Sequence, residues 1–430
     1  MVEPQRVLVH SRLPTFHVFV VDKYSFPVHS DRLFCGVKNP RNLSQRISVY
    51  ADLLATRPGD FVLFYQRRID ENPEQRGFRG LYRVVGPPFV DTKTVKSQDQ
   101  TVLGACPHCN QPFSEKLNED GSGTAYCRNP NCKHPLSPTE HILPNRLPIE
   151  LVQYFERPVD DNSAYIDRTD DGTLWTMIFR KQFGAGRERS INHILPEEGE
   201  KLRRLLLRGN DGRPSTPPDG LPHGYPSGSR TPIRVTYPPE APFTAESYLY
   251  AWLNENVDSA DPVLRQVLGP VPRIEYAGNQ VLYGIGGDAM DYLVLHRKER
   301  GDAVGFDAEL PGDAERAIGE QAGRYAATVI EVKKGAVDED TLNQVDRYAY
   351  YVAQVASANC LPEPPATLLV RPVLLGHGQA ASLLAKLQTR SSRRILLNYP
   401  GGRTTTVFVT RPVVLDYHCA DGKPGVSVVN

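Results

Sequence analysis

The chain has no run of about 18 consecutive apolar residues, the length a helix needs to cross a bilayer, so helical membrane spans are not expected. Its start, Met-Val-Glu-Pro-Gln-Arg-Val, lacks the basic-then-apolar order of a secretory leader. The expectation is a soluble, cytoplasmic protein. Neither sign of charge is in excess, since 50 Lys and Arg balance 50 Asp and Glu over 430 residues. That balance gives no global support for a polyanionic partner, although phosphate contacts need only a local basic surface. Such clusters occur at Arg180 and Lys181 with Arg187 and Arg189, and at Lys201, Arg203, Arg204 and Arg208. Cysteine is also too scarce, at seven residues, to form the framework of a disulfide scaffold in a chain this long. At this length two domains are expected, each with a core of its own.

Four of the cysteines are nonetheless patterned. Cys106-Pro-His-Cys109 is followed after seventeen residues by Cys127-Arg-Asn-Pro-Asn-Cys132. Two close thiolate pairs separated by a polar, glycine-containing loop fit a tetrahedral Zn²⁺ ribbon, closed to chemistry and therefore structural. The alternatives are a pair of disulfides, or His108 or His134 in place of one thiol. Cys35, Cys360 and Cys419 have no comparable spacing and are expected to pack as small apolar residues.

Residues 209–240 are dense in proline and glycine and predict an extended, flexible linker between residues 1–208 and 241–430. The first half is rich in strand-like text at 17–21, 61–65, 80–85 and 174–179, with helices at 43–54 and 197–207 and the cysteine motif inserted over about 101–140. The second half reads helix, strand, strand, helix, strand, helix, strand, which implies a mixed sheet flanked by helices. The fold class expected is therefore a multidomain α+β or α/β chain.

Two apolar strands in the second half each carry an acid. One contains Asp291 before Tyr292-Leu293-Val294-Leu295, and the other reads Val329-Ile330-Glu331-Val332-Lys333. Alternation puts Glu331 and Lys333 on one face, with Ile330 and Val332 in the core. Unpaired carboxylates in apolar text are expensive to bury, and a cation is their natural compensation. All-oxygen ligands favour Mg²⁺ or Mn²⁺. Lys333 would orient or deprotonate a water, or neutralise phosphate charge. Asp288 competes with Asp291 for the first position, because the polar stretch from His296 to Arg324 predicts a long loop or insertion there. Farther on, Gln344 and Tyr348 share a helical face. Upstream, Thr244 is a candidate N-cap for a helix over 245–256. On that helix Glu246 shares a face with Leu249, Tyr250 and Leu253, and it is preferred to Glu255 as a third acid.

An acid on a helix, an acid on a strand, E-x-K and then Q-x-x-x-Y in this order resemble the PD-(D/E)XK nuclease superfamily. The last pair is similar to its RecB-type branch, and the Glu246 helix is similar to the nuclease domain of NucS-type endonucleases. The resemblance implies catalytic roles for Asp291, Glu331, Lys333, Glu246, Gln344 and Tyr348, with Asp291 and Glu331 holding Mg²⁺ or Mn²⁺. In the first half, Pro58-Gly59-Asp60-Phe61-Val62-Leu63-Phe64-Tyr65 and the returning segment Gly77 to Gly86 resemble the EVE and YTH branch of PUA-like β-barrel domains. That likeness implies a reader of an extruded modified base, with Phe34, Tyr65 and Trp175 as aromatic walls and Arg180, Lys181, Arg187 and Arg189 on the DNA backbone. Together the two imply a modification-dependent DNA endonuclease, working as a homodimer through its nuclease domain if both strands are cut. The alternatives are a NucS-like repair nuclease that reads DNA structure, and a reader without catalysis.

Overall fold

A computed structural model of the chain describes residues 11–23, 25–40, 42–66, 76–97, 100–103, 105–106, 108–109, 113–117, 123–127, 131–132, 140–160, 163–164, 190–226, 230–258, 261–268, 273–282, 289–302, 304, 310–358 and 364–429. It is a mixed α/β architecture built on two large sheets.

The first sheet runs in spatial order Ile191–Ile194, Phe16–Val21, Phe61–Gln66, Gly77–Val84, Asn145–Gln153, Phe89–Val90 and Thr231–Pro232. Phe34–Val37 also pairs with Asn145–Gln153. Phe16–Val21 lies parallel to Phe61–Gln66, and the other pairings are antiparallel. Alternate residues of these strands feed two apolar cores, one containing Val18, Leu63 and Tyr65 and the other Phe19, Val62 and Phe64. Both faces are covered, which is why the strands read as nearly continuous apolar text. Residues Ile191–Ile194 form the strand that closes one edge against Phe16–Val21.

In the second sheet Arg273–Leu282, Ala289–Lys298 and Gly323–Val332 form an antiparallel meander. A 20-residue helix, Glu339–Ala358, then crosses to Thr367–Gly376, which lies parallel to Gly323–Val332. The strands Arg403–Val409, Arg393–Tyr399, Val413–Ala420 and Lys423–Val429 complete the sheet. Arg273–Leu282 and the last two strands are absent from the sequence reading. The polar excursion between the acidic strands contains a short helix, Gly312–Glu320, seated on a satellite core of Leu310, Ala314, Ile318, Tyr325 and Phe408.

The two halves interlock. Ser11–Arg12, from the first half, adds a parallel strand to the second sheet beside Arg273 and Ile274. Helix Leu43–Ala55, capped by Asn42, packs on helix Ser247–Asn256, so that Ile47 and Ala51 share one apolar core with Leu249, Trp252 and Leu253. The segment expected to be a flexible linker is fastened to the first sheet. Tyr225 donates to Asp91 at 2.6 Å and accepts from the fully buried Arg146, Thr231–Pro232 pairs with Phe89–Val90, and Ile233 is buried. Proline and glycine leave little regular structure here beyond Thr231–Pro232, but aromatic and guanidinium contacts fix an irregular chain. None of the described helices is long and apolar enough to cross a membrane.

Candidate active site

Three elements of the second half bring the acids together. Tyr292 pairs with Ile330, so the antiparallel register sets Asp291 opposite Glu331 at the open end of the meander. Both faces of the E-x-K strand are covered: Ile330 and Val332 pack toward helix Ser247–Asn256, while the other face lies beneath helix Glu339–Ala358. Glu331 is therefore fully buried, on the face opposite Ile330 and Val332.

Asp291 is held at both oxygens. Tyr250 donates to Oδ1 at 2.8 Å and the Gln280 amide donates to the same oxygen at 3.1 Å, while the backbone N–H of Val332 donates to Oδ2 at 2.9 Å. Glu331 accepts from Lys333 Nζ at 2.5 Å through Oε1, while its Oε2 is buried without an N–H or O–H donor among the described residues, and the carboxyl lies against that of Asp291. Gln344 Oε1 lies 3.5 Å from the same Nζ, and the Gln344 amide donates to the hydroxyl of buried Tyr348. Glu246 is the residue that opens the helix. Its carbonyl accepts from the backbone N–H groups of Leu249 and Tyr250, and its carboxylate takes the backbone N–H of Lys334. Thr244 does not cap this helix, which begins at Ser247 with Glu246 as its cap residue. The shift brings the acid to the positive end of the helix, facing Asp291 and Lys333.

The electrostatics follow from burial. Burial and then the neighbouring Asp291 push the Glu331 carboxyl up to about 8, against the pull of Lys333. Burial and Asp291 likewise raise Glu246. Burial pulls Lys333 down, but its hydrogen bond to Glu331 and the charges of Glu331, Asp291 and Glu246 prevail, so its net shift is upward and it is an ammonium. Burial, Asp291 and Glu246 keep the Tyr250 phenol protonated as a donor. Three carboxyl groups thus face the Lys333 ammonium, with Lys334 acting on Glu246 from the edge. This is a site short of positive charge, with an orphaned buried oxygen in it.

Glu246, Asp291, Glu331, Lys333, Gln344 and Tyr348 are all brought together. Asp288 lies outside the described residues. Glu255 is spent elsewhere, accepting from Tyr237 at 2.5 Å. Tyr250 and Gln280 were missed as site residues. Tyr250 was legible, four residues after Glu246 on the same helical face; Gln280 sits on the strand the sequence did not reveal.

In the first half, the sulfurs of Cys106, Cys109 and Cys132 lie within 4.8 Å of one another, a group able to hold a metal ion. A hairpin of Phe113–Leu117 with Gly123–Cys127 spans the gap between the knuckles. The Cys127 and His134 side chains lie outside the described residues, and His108 is exposed. The aromatic walls fare differently. Phe34 is fully buried against Tyr225 and His29, and Tyr65 is buried against Phe78, so neither presents a ring face to a ligand. Strand alternation sends Tyr65 into a core of the first sheet and Phe34 into a smaller core with Val28, Val95, Val102 and Leu143. Trp175, Arg180, Lys181, Arg187 and Arg189 lie outside the described residues. In the other basic cluster Lys201 is buried and Arg203 pairs with Glu200.

No protein-family model matches the chain, and no curated protein does. Among solved structures it is similar to a hypothetical protein from Leishmania major, 14% identical with a TM-score of 0.28, covering 46% of this chain and 96% of that one. It is similar to a protein from Pseudomonas putida at 14% identity and a TM-score of 0.27, covering 45% of this chain and 99% of that one. Likenesses this slight bear on neither fold nor activity.

Proposed function

We propose that the chain is a metal-dependent DNA endonuclease with a PD-(D/E)XK-type core, directed to modified DNA by its EVE-like first half. The observation that carries the catalytic part is the convergence of Glu246, Asp291 and Glu331 on one buried spot where Oε2 of Glu331 has no donor. An all-oxygen donor set with an orphaned carboxylate oxygen fits Mg²⁺ or Mn²⁺. When bound, such an ion supplies Lewis acidity at the scissile phosphate and at the departing 3′ oxygen. The protein groups do the rest. Tyr250, Gln280 and the Val332 N–H fix the Asp291 carboxylate. Lys333, as an ammonium, orients the attacking water and screens the phosphate charge rather than abstracting a proton. Gln344 steadies Lys333 and is itself anchored by Tyr348.

Cys106, Cys109, Cys127 and Cys132 would hold a structural Zn²⁺, three of the four sulfurs being already within reach of one ion. The reader assignment rests on the Pro58–Tyr65 and Gly77–Gly86 segments, with Phe34 and Tyr65 withdrawn as pocket walls. The fastened connection between the halves implies a fixed distance from mark to cut. Cutting both strands takes two active sites, as a homodimer through the second half would supply, or two successive events. The test is digestion of phage DNAs carrying different base modifications, beside plain, mismatched and branched duplexes, with Mg²⁺ present. Preferential cutting of one modified DNA at a constant offset supports the reading; preference for mismatches or branches transfers the protein to structure-specific repair.

A further inference from the structure

Among the described residues four non-glycine positions have positive φ, and three of them, Leu33, Asp211 and Asp421, lie in turns. The fourth, Gln280 at φ 53°, lies within the strand Arg273–Leu282. A left-handed residue inside a strand is strained, and such strain persists only where its surroundings hold it on every side. Here they do. Asn279 donates to Asp52 of the first half at 3.0 Å and accepts from Asn254 at 3.2 Å, while Val281 is buried in the core on the other side. The pairs Asn279 with Tyr292 and Val281 with Met290 leave Gln280 directly opposite Asp291. The side chain carried by this strained residue donates to both Asp291 Oδ1 and the Tyr250 hydroxyl, at 3.1 and 3.0 Å.

We propose that Gln280 is a positioning residue for Asp291: the strained backbone aims its amide so that, with Tyr250, it locks the carboxylate toward Glu331 in a geometry ready for a divalent cation. This rests on the reading of the acid cluster as a metal site. An ordinary strand conformation at position 280 would relieve the strain and swing the amide away, leaving Asp291 held by Tyr250 and the Val332 N–H alone. Groups that orient a ligand in this way are commonly worth about 10- to 100-fold in metal affinity.

The test compares the full-length wild type with Gln280→Gly, Gln280→Asn and Glu331→Gln, using Mn²⁺ as the probe. Bound Mn²⁺ is followed by loss of the free-ion paramagnetic resonance signal, and metal-free thermal unfolding is recorded in parallel. Glycine and asparagine both accept positive φ; the first removes the amide and the second withdraws it by one methylene. The expected result is Mn²⁺ binding at least about 10-fold weaker in both Gln280 variants, with metal-free unfolding temperatures at or above that of the wild type. Wild-type Mn²⁺ affinity in Gln280→Gly overturns the proposal, as does a lower unfolding temperature with unchanged affinity, which would mark a purely structural role. Equal Mn²⁺ uptake by wild type and Glu331→Gln would instead remove the metal site itself, and the positioning role with it.

Discussion

The same three strands bury acids at both of their ends, and the two ends treat them differently. At one end Glu275, on Arg273–Leu282, is met by the buried Arg324 from Gly323–Val332, with Arg297 3.8 Å away. Arg324 also takes Glu197 at 2.7 Å and donates to the carbonyl of Ala356 at 3.0 Å. At the other end Asp291, Glu331 and Glu246 face Lys333, with Lys334 also acting on Glu246. Both Glu275 and Glu331 are pushed up by burial, but the first is answered by guanidinium groups on neighbouring strands while the second keeps an oxygen without a donor. The lesson is that burial of an acid does not by itself mark a site; what marks one is the lack of a protein cation to match it.

The largest effect expected from this contrast is at the matched end. Arg324→Ala leaves Glu275 buried without its partner and should cost roughly 3–5 kcal/mol by chemical denaturation. Replacing the pair together, with Arg324→Met and Glu275→Leu, should recover most of it. At the unmatched end Lys333→Ala should slow single-turnover cleavage by about 10²–10³-fold while costing clearly less stability than Arg324→Ala, because the Glu331 carboxyl, pushed up to about 8, can stay protonated when its partner is removed. A stability loss as large as that of Arg324→Ala would erase the distinction between the ends.

Next in size is a pH effect. The folded Glu331 carboxyl titrates near 8 against an ordinary 4.5, so between those values the folded chain holds a proton that the unfolded chain has released. Metal-free stability should therefore be full below about pH 4.5 and fall as pH rises toward 8. The loss is about 3 kcal/mol at pH 7, at 1.36 kcal/mol per pKa unit. Glu331→Gln should remove this slope, and saturating Mg²⁺ should flatten it in the wild type; pH-dependent urea unfolding reads both. The smallest effect lies where the halves meet. Asp52→Ala deprives Asn279 of its acceptor and should cost about 1–3 kcal/mol, and a purely local loss would show as unchanged cleavage offset.

The candidate site was largely legible because its chemistry is local in sequence. E-x-K and Q-x-x-x-Y each fit within one element, and Glu246 shares a face with its helix core. What was missed depends on pairing between distant segments. The strand Arg273–Leu282 reads as Arg-Ile-Glu-Tyr-Ala-Gly-Asn-Gln-Val-Leu, whose polar residues Glu275, Asn279 and Gln280 are satisfied only by Arg324, Asp52 and Asp291 from elsewhere in the chain. The 209–240 segment misled for a similar reason. Its composition leaves room for only a two-residue strand, but what fixes Tyr225 is Asp91 and Arg146, more than 75 residues upstream. Phe34 and Tyr65 show the opposite failure: aromatic residues on strands signal a core as readily as a ligand pocket, and here burial decides for the core.

Anomalous scattering from crystals soaked in Mn²⁺ tests the central claim most directly. A single strong peak beside the carboxylates of Asp291, Glu331 and Glu246 is the predicted result. Well-ordered density for all three side chains with no peak between them, at Mn²⁺ concentrations that support cleavage by known nucleases, would contradict it.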